Sequence, residues 1–225
     1  MNPPTSLVSL RQVCKSWTAG QQRIPVLKEI SLDVRAGERV AVVGPSGAGK
    51  STLLHILALL TPVDAGEVWM WGRRLDREDC WNTTLRRRIG MIFQDGKLLP
   101  NLNVLDNVCV PLVHRGLWPD HQRRRALEAL RAVGVDHRLR HRPNQLSGGE
   151  LMRVTIARAM VMSPKLILAD EPTGTLDSAT GEQIARLLFG LVTDERALVL
   201  VTHHPPLAAR ADRVITLQDG YIAHE

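Results

Sequence analysis

The 225-residue sequence predicts an α/β fold in which an antiparallel β region precedes a β/α core, and a helical segment interrupts that core. Three observations support this prediction. Residues 8–34 alternate apolar and polar side chains, which is typical of antiparallel strands with one exposed face. Residues 95–144 have a helical, proline-punctuated pattern. After residue 150, helices again alternate with short apolar strands, which indicates a return to the β/α core.

A glycine-rich loop joins the first core strand to a helix. The apolar run 40–43 predicts a buried strand, and residues 51–60 have the length and composition of a helix. Glycines between them allow backbone N–H groups to surround a polyanion, and the helix N-terminus adds a positive partial charge. The pattern predicts that Lys50 binds terminal phosphates and that Ser51 ligates Mg²⁺. The predicted nucleotide-binding residues here are Gly44, Pro45, Ser46, Gly47, Ala48, Gly49, Lys50, Ser51 and Thr52.

The middle of the chain predicts a helical insertion. Ala126, Leu130 and Val133 recur at helical spacing between basic residues. Prolines are expected to mark breaks between its helices, at positions 100, 111, 119 and 143.

Residues 146–150, with the sequence Leu-Ser-Gly-Gly-Glu, predict a second phosphate-binding site. Ser147, Gly148 and Gly149 precede a helix expected to start near Glu150, so their hydroxyl and N–H groups form an anion site at a helix N-terminus. The loop at residues 44–51 does not need this second site. The sequence therefore indicates that two copies of the chain clamp nucleotide between them.

The strand predicted at 166–169 ends in Asp170 and Glu171. Carboxylates at the carboxyl end of a parallel strand project into the crevice where α/β proteins bind ligands. Asp170 is therefore predicted to hold Mg²⁺, and Glu171 to orient or deprotonate an attacking water. Further strands are expected at 197–202 and 214–217, and further helices at 151–162 and 183–192.

Composition limits the class of protein. With 44% hydrophobic and 23% charged residues, the chain can bury one substantial core. Its most apolar stretches are too short to cross a bilayer, and its first residues lack the pattern of a secretory signal. Cys14, Cys80 and Cys109 are odd in number and widely spaced, so we expect reduced, structural thiols of a cytosolic protein, without a metal site or a disulfide framework.

The formal net charge of +6 is concentrated in residues 73–142. Arg86 to Arg88 and Arg123 to Arg125 could contact nucleic-acid phosphates. The segment lacks interleaved aromatics, a helix-turn-helix pattern and a zinc pattern, so no nucleic-acid partner is expected. A surface facing anionic lipid and a solvated helical face both remain open interpretations.

Taken together, these motifs resemble the nucleotide-binding subunits of ATP-binding-cassette (ABC) transporters over essentially the whole chain. The resemblance implies a P-loop NTPase domain of the ABC type. Its catalytic core would span about 1–94 and 151–225, with a helical subdomain at about 95–150. Residues 146–150 are similar to the family's signature motif and are called the signature segment below.

The resemblance also implies site roles. Gln94 occupies the place of a glutamine that contacts Mg²⁺ and the attacking water, and His203 that of a histidine that contacts the γ-phosphate. Trp17 occupies the place of an aromatic residue that stacks on adenine. Residues 175–177 resemble a loop that links two active sites across a dimer. The implied catalytic residues are Glu171, His203, Lys50 and Gln94, and the implied Mg²⁺ ligands are Ser51, Gln94 and Asp170.

Segments 132–138, 141–143 and 168–174 resemble the lipoprotein-releasing and macrolide-export group most closely. Leu151, Met152, Thr175 and His204 depart from that group's usual residues, and none of these departures removes a catalytic group. The resemblance implies an ATP hydrolase with ATP and Mg²⁺ as cofactors. Its implied partners are a second copy of the chain and a separate membrane permease, which places it on the cytoplasmic face of the cell membrane. The implied cargo is a lipoprotein, peptide, macrolide or similar amphipathic substrate.

Other functions remain open at this stage. The chain could be a regulatory ATPase that drives a cell-division or cell-envelope partner without transport. Less favoured are an importer subunit and an ATPase acting on nucleic acid or ribosomes. Members of that last class usually carry two cassettes, or coiled-coil or zinc insertions, which this sequence lacks.

Overall fold

The computed structural model describes residues 6–20, 22–113 and 116–224. Residues 1–5, on which the expectation about a secretory signal partly rests, lie outside that description. The strands are β1 (Ser6–Ala19), β2 (Gln22–Arg35), β3 (Arg39–Val43), β4 (Ala65–Met70), β5 (Arg73–Leu75), β6 (Ile89–Ile92), β7 (Leu166–Asp170), β8 (Ala197–Val201), β9 (Arg213–Gln218) and β10 (Tyr221–His224). The helices are α1 (Lys50–Leu57), α2 (Thr83–Arg86), α3 (Val104–Val113), α4 (Pro119–Ala132), α5 (Gly148–Met160), α6 (Ser178–Gly190) and α7 (Pro205–Ala208).

Two sheets form the framework. Strands β2, β1, β4 and β5 make an antiparallel sheet in that order. Its predicted alternation is confirmed in β2, where Ile30, Leu32 and Val34 are buried while Ser31 is exposed. The second sheet has the order β10-β9-β3-β8-β7-β6, and all its neighbouring strands except β10 and β9 are parallel.

The parallel strands bring the predicted site residues to one edge of the sheet. Parallel strands end at the same edge of a sheet, and ligands of α/β proteins bind at that carboxyl edge. The chain leaves β3 into the glycine-rich loop, β6 toward Gln94, β7 into Glu171 and β8 toward His203. The four predicted groups therefore meet at one edge.

Two apolar clusters hold the layers together. The first packs the antiparallel sheet and α1 against one face of the central sheet, with Leu53, Leu54 and Leu57 fully buried. The second packs α3, α4, α5 and α6 under the other face, where Val108 and Leu130 are fully buried. The helical insertion thus shares its core with the central sheet.

Some predicted boundaries were wrong. Helix α1 ends at Leu57 rather than at residue 60, because Leu59 adopts a φ of 57° and the Leu60 N–H returns to the His55 carbonyl. The helix expected near Glu150 starts at Gly148, and α6 starts at Ser178, earlier than residue 183. Pro111 does not mark a break, since it lies in the last turn of α3.

Candidate functional site

The glycine-rich loop, residues 44–51, passes so close to neighbouring backbone that some of its positions have no room for a side chain. Gly44 has a φ of 148°, and a Cβ there would lie 2.0 Å from the Leu217 carbonyl oxygen. Gly49 has a φ of 102° and precedes the first residue of α1. Lys50 Nζ donates to the Gly44 and Pro45 carbonyls, each at 2.8 Å. The ammonium therefore lies within the loop, beside the N-terminus of α1, where phosphate is favoured.

Asp170 at the end of β7 faces the start of α1. Burial and the adjacent Glu171 carboxylate raise the pKa of Asp170, while a hydrogen bond from Ser51 and the charges of His55 and Lys50 oppose that rise. A half-buried carboxylate next to a hydroxyl, with a raised pKa, is a place where a hard cation would be favourable. The oxygen donors of Asp170 and Ser51 fit the ligand preference of Mg²⁺.

Glu171 adopts a left-handed backbone conformation with a φ of 45°. Its N–H donates to the Val201 carbonyl at 3.0 Å, and its carbonyl accepts from Gly174 at 3.1 Å. Its Oε1 lies 2.7 Å from His203 Nδ1. Hydrogen bonds of both its N–H and its carbonyl thus hold Glu171 in an uncommon backbone conformation. Such conformations cluster at active sites. The carboxylate and the imidazole point into the same space.

Gln94 lies beside this pair. Its Nε2 is 3.2 Å from the position that a Cβ on Gly174 would occupy. The loop after Gln94 is held by Arg158 of α5, which donates to the Lys97 and Gly96 carbonyls at 2.7 and 2.5 Å. Sequence reasoning missed Arg158. The only local signal is that Arg158 shares a helix face with Leu151 and Thr155, whose side chains also approach Gly96.

Trp17 lies on the antiparallel sheet near the start of α1. The residue is 43% exposed, and its Nε1 donates to Thr52 Oγ1 at 3.2 Å. Lys15 Nζ lies 5.0 Å from the ring centroid. Asp64 binds Lys15 at 3.2 Å and the Ser16 N–H at 2.8 Å, so it fixes the segment that carries Trp17. Sequence reasoning missed both Lys15 and Asp64.

The signature segment begins α5. Ser147 is the N-cap: its Oγ accepts from the Glu150 N–H at 3.3 Å, while Glu150 Oε2 accepts from the Ser147 N–H at 2.9 Å. A Cβ on Gly148 would meet Leu176, and a Cβ on Gly149 would meet Thr180. The free donors at the start of α5 therefore lie next to the segment 175–177 of the same chain.

The two anion sites occupy different parts of the carboxyl edge. The glycine-rich loop follows β3, whereas α5 packs beneath β6. Strands β8 and β7 separate β3 from β6, so three interstrand spacings, about 14 Å in all, lie between them. The structure brings Lys50, Ser51, Asp170, Glu171, Gln94 and His203 together at this edge. The start of α5 instead faces Leu176 and Thr180, and the strand that α5 packs against is three spacings from the strand that leads into the glycine-rich loop.

All three cysteines are free thiols, and Cys80 and Cys109 are buried. Within the described ranges, no helix combines the length and apolar character needed to cross a bilayer.

Comparison with known sequences gives consistent results. The profile of the family described as "ABC transporter" matches residues 27–174. The macrolide export ATP-binding/permease protein MacB of Chlorobium luteolum is 44% identical over all of this chain, which spans 34% of that relative. The lipoprotein-releasing system ATP-binding protein LolD of Coxiella burnetii is 41% identical over 97% of this chain and 96% of its own length.

A solved structure has the same fold as this chain. The dimeric, post-hydrolysis ATP-binding cassette MJ0796, bound to ADP and Pi, matches with a TM-score of 0.87 and 40% identity. The match covers 96% of this chain and 97% of that one. The chain therefore spans nearly the whole of the single-cassette relatives and about a third of the macrolide relatives.

Proposed function

This chain belongs to the ABC transporter family, and we propose that two copies of it bind and hydrolyse ATP to drive a membrane permease. It has the fold of the family's ATP-hydrolysing cassettes, as the match to the ADP- and Pi-bound cassette supports.

The proposed roles follow the geometry. Lys50 and the N–H groups of residues 44–51 bind the β- and γ-phosphates, and Trp17 stacks on the base. Glu171, 2.7 Å from His203, orients and deprotonates the attacking water, and His203 contacts the γ-phosphate. Gln94 approaches the same water from the loop that Arg158 holds.

Ser51, Asp170 and Gln94 would hold Mg²⁺: Ser51 and Asp170 are hydrogen-bonded to each other beside the phosphate loop, and the Gln94 side chain carries an amide oxygen of the kind that Mg²⁺ binds. When bound, the cation would neutralise charge on the transferred phosphoryl group. Its presence would also relieve the cost of an ionised Asp170, whose pKa burial and Glu171 raise.

One observation supports the two-copy mechanism most directly. The start of α5 offers Ser147, Gly148 and Gly149 to an anion, yet α5 packs against β6, which is three strand spacings from the strand that leads into the glycine-rich loop. In the same chain, the start of α5 faces Leu176 and Thr180 rather than the glycine-rich loop, and the matching cassette bound to ADP and Pi is dimeric. We infer that each signature segment binds the nucleotide of a second copy.

A groove between the core and the helical insertion supports the permease partner. It has a volume of about 660 Å³ and is lined by Arg86, Met91, Phe93, Lys97, Val110 and Met162, among others. A lining that combines apolar side chains with the cationic side chains of Arg86 and Lys97 suits a short amphipathic segment with acidic residues. Because this groove adjoins the loop after Gln94, a partner seated there would contact the segment that leads into the site.

We propose a place at the inner face of the cell membrane, and export or extraction of an amphipathic substrate. The support is that relatives at 41–44% identity are a lipoprotein-releasing ATP-binding protein and a macrolide export protein. Substrate choice would belong to the permease.

The experiment that tests this function is purification of the chain from its native membrane in mild detergent, with ATPase measured before and after removal of the co-purifying protein. We expect an integral membrane protein to co-purify and ATP hydrolysis to require Lys50. Recovery with ribosomes or DNA, and without a membrane protein, would contradict the proposal.

A further inference from the structure

Glu150 places a carboxylate inside the segment that is proposed to bind phosphate. It is the third residue of α5, and one of its oxygens accepts from the Ser147 N–H. This hydrogen bond shapes the segment, but a glutamine side chain could accept it equally well. The negative charge of Glu150 therefore needs a separate explanation.

That charge opposes anion binding. Glu150 lies within the first turn of α5, close to the N–H groups of Gly148 and Gly149. A carboxylate in this position stabilises the helix itself, because it offsets the positive end of the helix dipole. It also repels any phosphate that approaches the same N–H groups.

Arg138 compensates the charge from outside the segment. Its Nε donates to Glu150 Oε1 at 2.7 Å. The two side chains are 36% and 19% exposed, so this pair is less screened by water than an ordinary surface pair. His137 also approaches Glu150 Oε1, at 3.4 Å, but its side chain is 60% exposed.

The backbone holds Arg138 in place. The carbonyls of Leu139 and His141 accept hydrogen bonds from Leu105 and Val104 at the start of α3. The Arg138 Nη1 lies 3.2 Å from His141 Nε2. The guanidinium is therefore positioned before any phosphate arrives. The hydrogen bonds from Ser147 and Arg138 lower the pKa of Glu150 to about 2, so the carboxylate is ionised at neutral pH.

We propose that Arg138 is a positioning residue of the signature segment, which neutralises Glu150 so that the start of α5 can accept the γ-phosphate held by a second copy. This inference rests on the proposed function. It predicts that Arg138 is needed only while residue 150 carries a negative charge.

The test is a double-mutant cycle on ATP-induced dimerisation. All variants carry Glu171→Gln to prevent hydrolysis, and the dimer dissociation constant is measured by analytical ultracentrifugation with ATP. We expect Arg138→Gln to raise that constant by about tenfold when Glu150 is present. In the Glu150→Gln background, the same change should raise it by less than about twofold.

Two variants control the result. Arg138→Lys keeps the charge and should stay within about threefold of the Arg138 protein. Arg140→Gln removes an exposed arginine two residues after Arg138 and should leave the dimer dissociation constant unchanged. Melting temperatures are recorded for every variant to check that it folds. If Arg138→Gln does not fold, Arg138→Lys is compared with the Arg138 protein instead. A tenfold rise in the dimer dissociation constant of Arg138→Lys would overturn the proposal.

Equal losses from Arg138→Gln in both backgrounds would show a structural role and overturn the inference. No loss in either background would overturn it as well. If the Glu171→Gln protein itself formed no dimer with ATP, the proposed function would fail and the inference with it. The two failures are therefore distinguishable.

Discussion

The left-handed conformation of Glu171 predicts that Glu171→Gly folds more stably than Glu171→Ala. Both changes remove the carboxylate and its 2.7 Å contact with His203, so they differ mainly in how the backbone tolerates a φ of 45°. A residue with a Cβ costs about 1–2 kcal/mol in this region. Glycine loses about 0.5–1 kcal/mol of additional conformational entropy on folding. Taking the middle of each range, the net advantage of glycine is about 0.8 kcal/mol.

Thermal unfolding of the two purified variants measures this difference. For a chain of this size, about 1 kcal/mol corresponds to roughly 2–4 °C in Tm. Phosphate release should fall by about 10²–10⁴-fold in both variants, because both lack the proposed general base. If Glu171→Ala were as stable as Glu171→Gly, the backbone at Glu171 would not be strained. If either variant kept parental ATPase, the assigned base would be wrong.

Four further outcomes are expected. Lys50→Ala should abolish nucleotide binding in calorimetry, and near-normal affinity would contradict the role of the loop. Trp17→Ala should weaken ATP binding by about tenfold through lost stacking, and an unchanged affinity would remove Trp17 from the base site. Chelation of Mg²⁺ should stop phosphate release; hydrolysis that persists in excess chelator would count against the metal site. Because the folded pKa of Glu150 is lowered from 4.5 to about 2, its contribution to stability is present above pH 4.5 and is lost as pH falls toward 2. Urea unfolding should therefore show the stability difference between the parent and Glu150→Gln shrinking over that interval, and a constant difference would refute the pairing.

The sequence predicted the parts of the site that follow from local pattern. Apolar runs identified β3, β7 and β8, and parallel pairing then placed Asp170, Glu171 and His203 at one edge. The glycines of the loop and of the signature segment were identifiable because their spacing has a chemical reason. The roles of the individual site residues, and the boundary of the helical subdomain, stay predictions.

Other parts could not be predicted, because they depend on how distant segments meet. Arg158 binds the Gly96 carbonyl 62 residues away, and Asp64 binds Lys15 at a separation of 49. No local periodicity relates such pairs. Pro111 shows a different limit, since a proline near the end of α3 removes little of the helical hydrogen bonding and does not end the helix there.

In the proposed mechanism, the signature segment binds the ATP held by a second copy. Ser147→Asp tests it directly in the Glu171→Gln protein, because aspartate keeps the helix cap while its charge repels phosphate, and Ser147→Asn is the neutral control. Two quantities are measured. The first is the ATP affinity of the monomer, at protein concentrations too low for dimers to form. The second is the fraction of dimer that ATP induces at higher protein concentration. We expect Ser147→Asp to leave the ATP affinity of the monomer within about twofold of the parent while the dimer is lost, and Ser147→Asn to retain the dimer. Loss of monomer affinity in Ser147→Asp, or a dimer that persists, would contradict it.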